Sequence, residues 1–132
     1  MRVAVDTNVL VRAVVRDDKA QAEIAARLLR NSALVAVGLS ALCELVWVLR
    51  RFYGFKAGEV ADTIRALISA ENVETNQPAV EAGLAMLDAG GDFADGVIAY
   101  EGRWLGGETF VSFDKKAVEM LKEQGEQAGC VS

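Results

Sequence analysis

The sequence predicts an α/β/α sandwich, with a mostly parallel central sheet of four to five strands flanked by helices on both faces. Short apolar segments typical of strands alternate with longer amphipathic segments typical of helices. With 132 residues, no internal repeat and no linker-like segment, the chain is expected to be a single domain over residues 1–132. Open sheets of this kind bind ligands beyond the carboxyl ends of their strands, so the residues there are the first candidates for function.

The first third of the chain contains two predicted strands and two predicted helices. Val3–Val5 is short and apolar, as expected of a buried strand. Asn8–Arg16 is predicted to form a helix or turn, and Lys19–Arg30 a helix whose apolar residues recur every fourth position. Leu34–Val37 is predicted to be the second strand, after which Ser40 is a suitable N-cap for the next helix.

The middle of the chain is predicted to be mainly helical. Ala41–Tyr53 is an apolar helix, and Ala57–Ala70 is an amphipathic one. Val73–Thr75 is predicted to be a short third strand between helices. Pro78 marks the start of the following helix, because proline is favoured in the first helical turn.

The last third repeats the alternation of helix and strand. A helix is predicted over Asp92–Leu105, and Phe110–Phe113 is predicted to be a strand. Lys115–Gln124 is predicted to be helical, and Cys130–Val131 is expected to add an edge strand. The chain therefore begins and ends with strand-like segments.

The composition excludes several kinds of catalytic site. Histidine is absent, so Ser-His and Cys-His dyads and a His-ligated zinc site cannot form. Any metal should be a hard, oxygen-preferring ion such as Mg²⁺ or Mn²⁺. The net charge of −5 argues against an extended phosphate-tracking surface but allows a local site where cations bridge to phosphate. No membrane span or signal peptide is expected, which predicts a cytoplasmic location.

Two acids directly follow predicted strands. Asp6 comes after Val3–Val5, and Asp114 comes after Phe110–Phe113. Because parallel strands end at the same edge of a sheet, the two carboxylates suggest a cation site. Each acid could instead simply cap the helix that follows its strand.

Glu44 is the only polar residue in the segment Ala41–Leu49. A carboxylate on an apolar helix face is costly unless something compensates its charge. We therefore expect Glu44 to be a metal ligand or a buried, hydrogen-bonded acid. The alternative is a side chain that reaches solvent or pairs with Arg50 or Arg51.

Asp92 and Asp95 lie three residues apart at a predicted helix start, where Asp is favoured for capping. One is expected to cap the helix, while Asp95, next to the apolar Val97–Ala99, can point at the edge of the sheet. Several acids crowded together would repel, and at least one would take up a proton near neutral pH. A divalent ion would remove this conflict.

Other polar and aromatic residues could have either a functional or a structural role. Thr7, Asn8 and Ser112 could hydrogen-bond the carboxylates or touch a phosphate, and they could equally be turn residues. Trp47 and Trp104 fall within apolar helical patterns, so they are expected to be packing or interface residues rather than base-stacking platforms.

Taken together, these segments resemble the PIN-domain ribonucleases, and specifically the VapC-type toxins of prokaryotic toxin–antitoxin pairs. The resemblance covers nearly the whole chain and rests on Val3–Arg12, Ser40–Tyr53, Asp92–Ala99 and Val111–Asp114. It implies a PIN-like fold and an acidic quartet that holds one or two Mg²⁺ or Mn²⁺ ions, formed by Asp6, Glu44, Asp95 and Asp114, with Asp92 as an auxiliary acid.

The resemblance also implies an activity and partners. The activity is metal-dependent endonucleolytic hydrolysis of RNA phosphodiester bonds, and the partners are a second copy of the chain in a homodimer and a VapB-like antitoxin. Ser112 matches the small hydroxyl residue usually found two positions before the last acid. Tyr100 is a departure, because a small residue often follows the Ile98-Ala99 pair in the family. The basic residues implied as possible RNA or antitoxin contacts are Arg12, Arg16, Arg50, Arg51, Lys115 and Lys116.

Three other functions are weighed against the sequence. A haloacid-dehalogenase-like phosphatase also places a nucleophilic Asp after its first strand, but it normally carries a second Asp where this chain has Asn8. A receiver domain needs an acidic pair for which Met1 and Arg2 leave no room. A non-catalytic PIN scaffold that binds protein or RNA is the other alternative, and the presence of all four acids argues against it.

Overall fold

The computed structural model describes residues 1–131, which form seven helices and five strands. These elements belong to two compact units. The first unit comprises Met1–Asn76, and the second begins at Gln77.

The first unit is a three-stranded parallel sheet with four helices. Its elements are β1 (Arg2–Ala4), α1 (Thr7–Val15), α2 (Lys19–Asn31), β2 (Leu34–Ala36), α3 (Leu39–Phe52), α4 (Ala57–Ile68) and β3 (Val73–Glu74). The strand order is β1-β2-β3, so β2 lies in the centre. Val35 of β2 lies opposite Val3 on one side and Val73 on the other.

Helix α3 is anchored by one fully buried face. Leu42, Leu45 and Leu49 have no exposed surface, and they recur at the spacing of a single helical stripe. Burying a leucine side chain contributes about 1.5–3 kcal/mol. Because this face is held in the core, the residues on the opposite side of α3 are presented to solvent.

The prediction that Ser40 caps α3 is wrong. The N-cap is Gly38, which has an extended backbone and no side chain to accept a capping hydrogen bond. The helix begins at Leu39. The backbone N–H of Leu42 donates to the carbonyl of Gly38 at 3.2 Å, which places the first helical turn two residues earlier than the Ser40 cap requires. Ser40 is therefore an exposed residue within the first turn.

The second unit contains a two-stranded parallel sheet and three helices. Its elements are α5 (Gln77–Asp88), α6 (Phe93–Trp104), β4 (Phe110–Ser112), α7 (Lys115–Glu123) and β5 (Ala128–Cys130). Phe110 lies opposite Ala128, and Ser112 lies opposite Cys130. Beneath this sheet, Met86, Met120 and Leu121 form a buried cluster with Ala99.

Helices α5 and α6 approach each other closely because glycines lie at their contact. A Cβ on Gly83 would come within 2.7 Å of the ring of Phe93, which is completely buried. A Cβ on Gly96 would overlap the carbonyl oxygen of Ala82 and lie 2.8 Å from the Cα of Gly83. This contact fixes the first turn of α6, in which Asp95 lies.

The predicted α/β fold with parallel strands is confirmed. Its five strands are divided between two sheets, three in the first unit and two in the second. The last strand begins at Ala128, two residues before the predicted Cys130. The expectation of a single domain over residues 1–132 stays a prediction. No helix among residues 1–131 has the length and hydropathy of a membrane span.

Candidate metal centre

Asp6 lies between β1 and α1 and caps the helix. Its Oδ1 accepts a hydrogen bond from the backbone N–H of Val9 at 3.1 Å, and its own backbone is extended, as an N-cap requires. The side chain is exposed, and its Oδ2 makes no hydrogen bond within residues 1–131. A carboxylate offers about four lone pairs, so capping leaves Asp6 free to bind a cation as well.

The two polar residues after Asp6 are helical rather than part of a loop. Thr7 and Asn8 are the first two residues of α1, with Thr7 half-buried and Asn8 exposed. Asn8 is therefore available to solvent beside the Asp6 cap. The proposed roles of both residues toward carboxylate or phosphate stay predictions.

The expectation that Glu44 is a buried acid is wrong. Glu44 is exposed, because the buried stripe of α3 is completed by Leu42, Leu45 and Leu49 without it. The segment is apolar because Leu42, Leu45, Val46 and Leu49 are buried, whereas Trp47, on the same side as Glu44, is exposed. The carboxylate consequently incurs no burial cost, and its role as a metal ligand stays a prediction.

Two acids of the second unit, Asp92 and Asp114, lie near enough to Asp95 for their charges to act on it. Asp92 caps α6 by accepting from the backbone N–H of Ala94 at 3.1 Å, which confirms that one acid of this pair is a cap. Asp95 follows in the first turn and is half-buried. Asp114 caps α7 through Oδ1, which accepts from the backbone N–H groups of Lys116 and Ala117 at 3.0 and 3.2 Å.

Ser112 positions the backbone of Asp114. Its Oγ accepts a hydrogen bond from the backbone N–H of Asp114 at 2.9 Å. This contact holds the residue that turns the chain from β4 into α7, and it does not involve the carboxylate. Ser112 therefore orients Asp114 from the peptide side, while the cap orients it through one carboxylate oxygen.

The electrostatics of this cluster favour a positive partner. Burial raises the pKa of Asp95 above its usual range, and the negative charges of Asp92 and Asp114 raise it further. These effects outweigh the preference of a first helical turn for a negative charge. The repulsion would be relieved by a cation, and carboxylate oxygens are the donors that Mg²⁺ and Mn²⁺ prefer.

The acids do not form a ready-made ligand set. Among the described residues, no three acidic or cysteine side chains are grouped so that they could hold a metal ion together. Asp6 and Glu44 belong to the first unit, and Asp92, Asp95 and Asp114 belong to the second. The donor chemistry of these residues fits a divalent ion, and their assignment as its ligands stays a prediction.

Two features that bear on the site were missed from the sequence. Gly96 allows the close approach of α6 to α5, and the adjacent Asp95-Gly96 pair at a helix start was its signal. Lys116 donates from Nζ to the carbonyl of Gly90 at 2.9 Å, so it ties α7 to the loop before α6. Such a tie between distant segments leaves no trace in local sequence.

We expect Asp95→Asn to stabilise the metal-free protein at pH 7. The raised pKa means that Asp95 binds its proton more tightly in the folded protein than in the unfolded one. Protonated Asp95 therefore stabilises the fold fully at pH values below its pKa in the unfolded protein. This stabilisation is lost as the pH rises through its pKa in the folded protein. Thermal unfolding in chelator should show a melting temperature above that of wild type, with the difference shrinking toward acidic pH. Asp62→Asn, at an exposed position of α4, is the control. An Asp95→Asn gain that grows as pH falls would contradict this account.

Comparison with known families identifies the class of this chain. The PIN domain family model matches residues 3–122, which span nearly the whole sequence, and the chain therefore belongs to the PIN domain family. PIN domains are generally nucleases, and they typically depend on divalent metal ions. This membership favours neither the phosphatase nor the non-catalytic alternative. No curated protein matches the chain.

Proposed function

We propose that this protein is an Mg²⁺- or Mn²⁺-dependent endoribonuclease and the toxin of a type II toxin–antitoxin pair of the VapC kind. The observation that carries the proposal is the PIN match over residues 3–122, together with acids at the positions that the resemblance assigns to the catalytic quartet. The quartet proposed to bind the metal is Asp6, Glu44, Asp95 and Asp114, with Asp92 as an auxiliary acid.

The proposed ligands come from rigid parts of the fold. Asp6 and Asp114 each bind backbone N–H groups through Oδ1, which fixes the direction of the carboxylate before any ligand arrives. Asp95 is held by the packing of α6 on α5. Preorganised carboxylates of this kind lose little conformational entropy when they bind a cation, which favours tight binding.

The chemistry proposed is hydrolysis of an RNA phosphodiester bond. A bound divalent ion would supply a water of lowered pKa and would stabilise negative charge on the phosphate and the leaving oxygen. Thr7 and Asn8, beside the Asp6 cap, are proposed to hydrogen-bond the carboxylates or the phosphate. Burial and the charges of Asp92 and Asp114 raise the pKa of Asp95, and a cation bound at Asp95 would offset these unfavourable effects.

The proposal extends to partners and location. By resemblance to VapC-type toxins, the protein forms a homodimer in the cytoplasm and is inhibited by a VapB-like antitoxin. A short reading frame immediately upstream, encoding a DNA-binding fold with a C-terminal tail, would support the toxin role. An upstream gene of another kind would count against it.

Removal of the metal tests the activity directly. Structured RNA should be cleaved internally by the purified protein with Mg²⁺ or Mn²⁺, and chelation with EDTA should abolish cleavage until either ion is restored in excess. Because metal binding stabilises only the folded state, an ion at about 100 times its dissociation constant should add about 2.7 kcal/mol to the free energy of unfolding. Cleavage that persists in EDTA would exclude the proposed mechanism.

A further inference from the structure

Helix α3 presents an exposed stripe that contains one predicted catalytic acid. Glu44, Trp47 and Arg51 are all exposed, and their spacing of three and four residues places them on one side of the helix. Trp47 is about 4.5 Å along the axis from Glu44, and Arg51 is about 6 Å further on. The opposite side of α3 is buried, so this stripe has a fixed orientation.

Trp47 is not a packing residue. Trp47 is 58% exposed, so of the two roles predicted for it, packing in the core is excluded and the interface role stays a prediction. Its ring lies edge-to-face against Phe52, with centroids 5.2 Å apart and an angle of 83° between the rings. Nowhere in residues 1–131 does its indole N–H find a hydrogen-bond acceptor. The indole is therefore held in place by one aromatic neighbour while more than half of its surface meets water.

Arginines with no ion pair lie beside this aromatic residue. Arg12 pairs with Asp17 at 3.3 Å, and Arg16 pairs with Glu23 at 3.0 Å. Arg50 and Arg51, in contrast, are exposed and form no ion pair with any described residue. Guanidinium groups without an acidic partner are suited to phosphate, which they can bind through two parallel hydrogen bonds.

The distribution of charge along the chain also favours binding of a polyanion to the first unit, which contains α3. Residues 1–76 contain ten Lys and Arg residues and nine Asp and Glu residues. Residues 77–132 contain four Lys and Arg residues and ten Asp and Glu residues. A polyanion is therefore repelled least by the first unit. Within that unit, the C-terminal end of α3 combines free positive charge with an exposed aromatic surface.

We propose that Trp47 stacks on an unpaired base of the RNA substrate, while Arg51 binds a phosphate of the same strand. The proposal rests on the ribonuclease function and adds a binding site for single-stranded RNA beside Glu44. Unstacked bases of RNA loops are commonly bound on aromatic side chains, and stacking tolerates any base because every base has a π-face.

The charges favour RNA over a protein at this surface. Protein interfaces are enriched in Trp and Arg but depleted of Glu, and this stripe places Glu44 one turn from Trp47 and Arg51 one turn beyond it. An aromatic residue between a phosphate-binding cation and a carboxylate proposed to bind metal matches the alternation of base and phosphate in a nucleic acid. A protein partner or a second copy of the chain would instead be expected where no carboxylate lies beside the exposed aromatic residue.

Two leucine variants separate this role from general effects of losing an exposed tryptophan. Trp47→Leu should raise the KM for a single-stranded RNA substrate by about 5- to 150-fold and leave kcat within a few-fold of wild type. Trp104→Leu is the matched control, since Trp104 is 74% exposed on α6 and donates from Nε1 to the Tyr100 hydroxyl. The control should keep both constants unchanged.

Fluorescence gives a readout that does not depend on cleavage. In the double variant Asp6→Asn, Trp104→Phe, Trp47 is the only tryptophan, and short single-stranded RNA should quench its emission. The same RNA backbone with abasic sites should bind more weakly and quench little. Equal quenching by both ligands would overturn the stacking proposal, because phosphate contact alone would then explain binding.

The remaining outcomes also decide between explanations. Cleavage by wild type with an unchanged KM in Trp47→Leu would overturn this inference and leave the ribonuclease function standing. No cleavage by wild type would overturn the ribonuclease function and, with it, the substrate role of Trp47. A dimer that becomes monomeric in Trp47→Leu, measured by light scattering, would assign the surface to a second copy and overturn the RNA site.

Discussion

Asp6→Asn is expected to reduce RNA cleavage by about 100-fold or more while leaving the fold intact. Loss of a residue that merely supports a metal ligand typically costs 10–100-fold in metal affinity or activity, so loss of a ligand should cost at least as much. The fold should survive because Asn caps helices about as well as Asp, and its side-chain oxygen can still accept from the backbone N–H of Val9. Cleavage rates and thermal unfolding of the same preparation separate the two effects.

The chain contains a matched control for this substitution. Asp18 caps α2 in the same way, with Oδ1 accepting from the backbone N–H of Gln21 at 3.1 Å, and it is exposed like Asp6. Asp18→Asn should leave cleavage unchanged. In cells, expression of wild type and of Asp18→Asn should arrest growth, whereas Asp6→Asn should not. Equal activity of the two variants would show that Asp6 acts only as a helix cap and is not one of the metal ligands.

Gly96→Ala is expected to lower the free energy of unfolding by about 3 kcal/mol or more. The added Cβ would overlap the carbonyl oxygen of Ala82 and lie 2.8 Å from the Cα of Gly83. Overpacking a core typically costs 1–3 kcal/mol, and this clash should reach the upper end because backbone atoms cannot move aside as a side chain can. Denaturant unfolding of the variant and of wild type measures the difference.

Gly102→Ala provides the comparison on the same helix. Nothing lies within 4 Å of a Cβ at Gly102, so alanine there should be neutral or should raise the free energy of unfolding by up to about 1 kcal/mol through its better helix propensity. Similar stabilities of the two alanine variants would show that α5 and α6 can separate without cost. The position of Asp95 would then not be fixed by their packing.

The helix-capping roles of the aspartates could be predicted from sequence, because capping depends on short-range geometry. Asp6, Asp92 and Asp114 each accept from backbone N–H groups two or three residues ahead, as expected of acids placed directly before helices. Such contacts depend only on residues that are close along the chain. The metal-binding role proposed for these acids would need ligands from several elements, and it stays a prediction.

The environment of α3 could not be predicted in the same way. Glu44 and Trp47 lie in an apolar segment, which favoured a metal ligand or buried acid at Glu44 and a packing or interface role for Trp47, yet both residues are exposed. Leu42, Leu45 and Leu49 already fill the stripe that meets the core. Which side of an apolar helix is buried depends on what packs against it, and that information is absent from the helix itself.

The sequence by itself determined the order of helices and strands, the α/β class and the membership of the PIN family. Apolar periodicity and capping residues are local, so they can be read directly from the chain. Only the tertiary structure decided that Glu44 is exposed, that Gly96 lies against Ala82, and that burial and the charge of Asp114 raise the pKa of Asp95. These properties arise from atoms that are distant along the chain and adjacent only after folding.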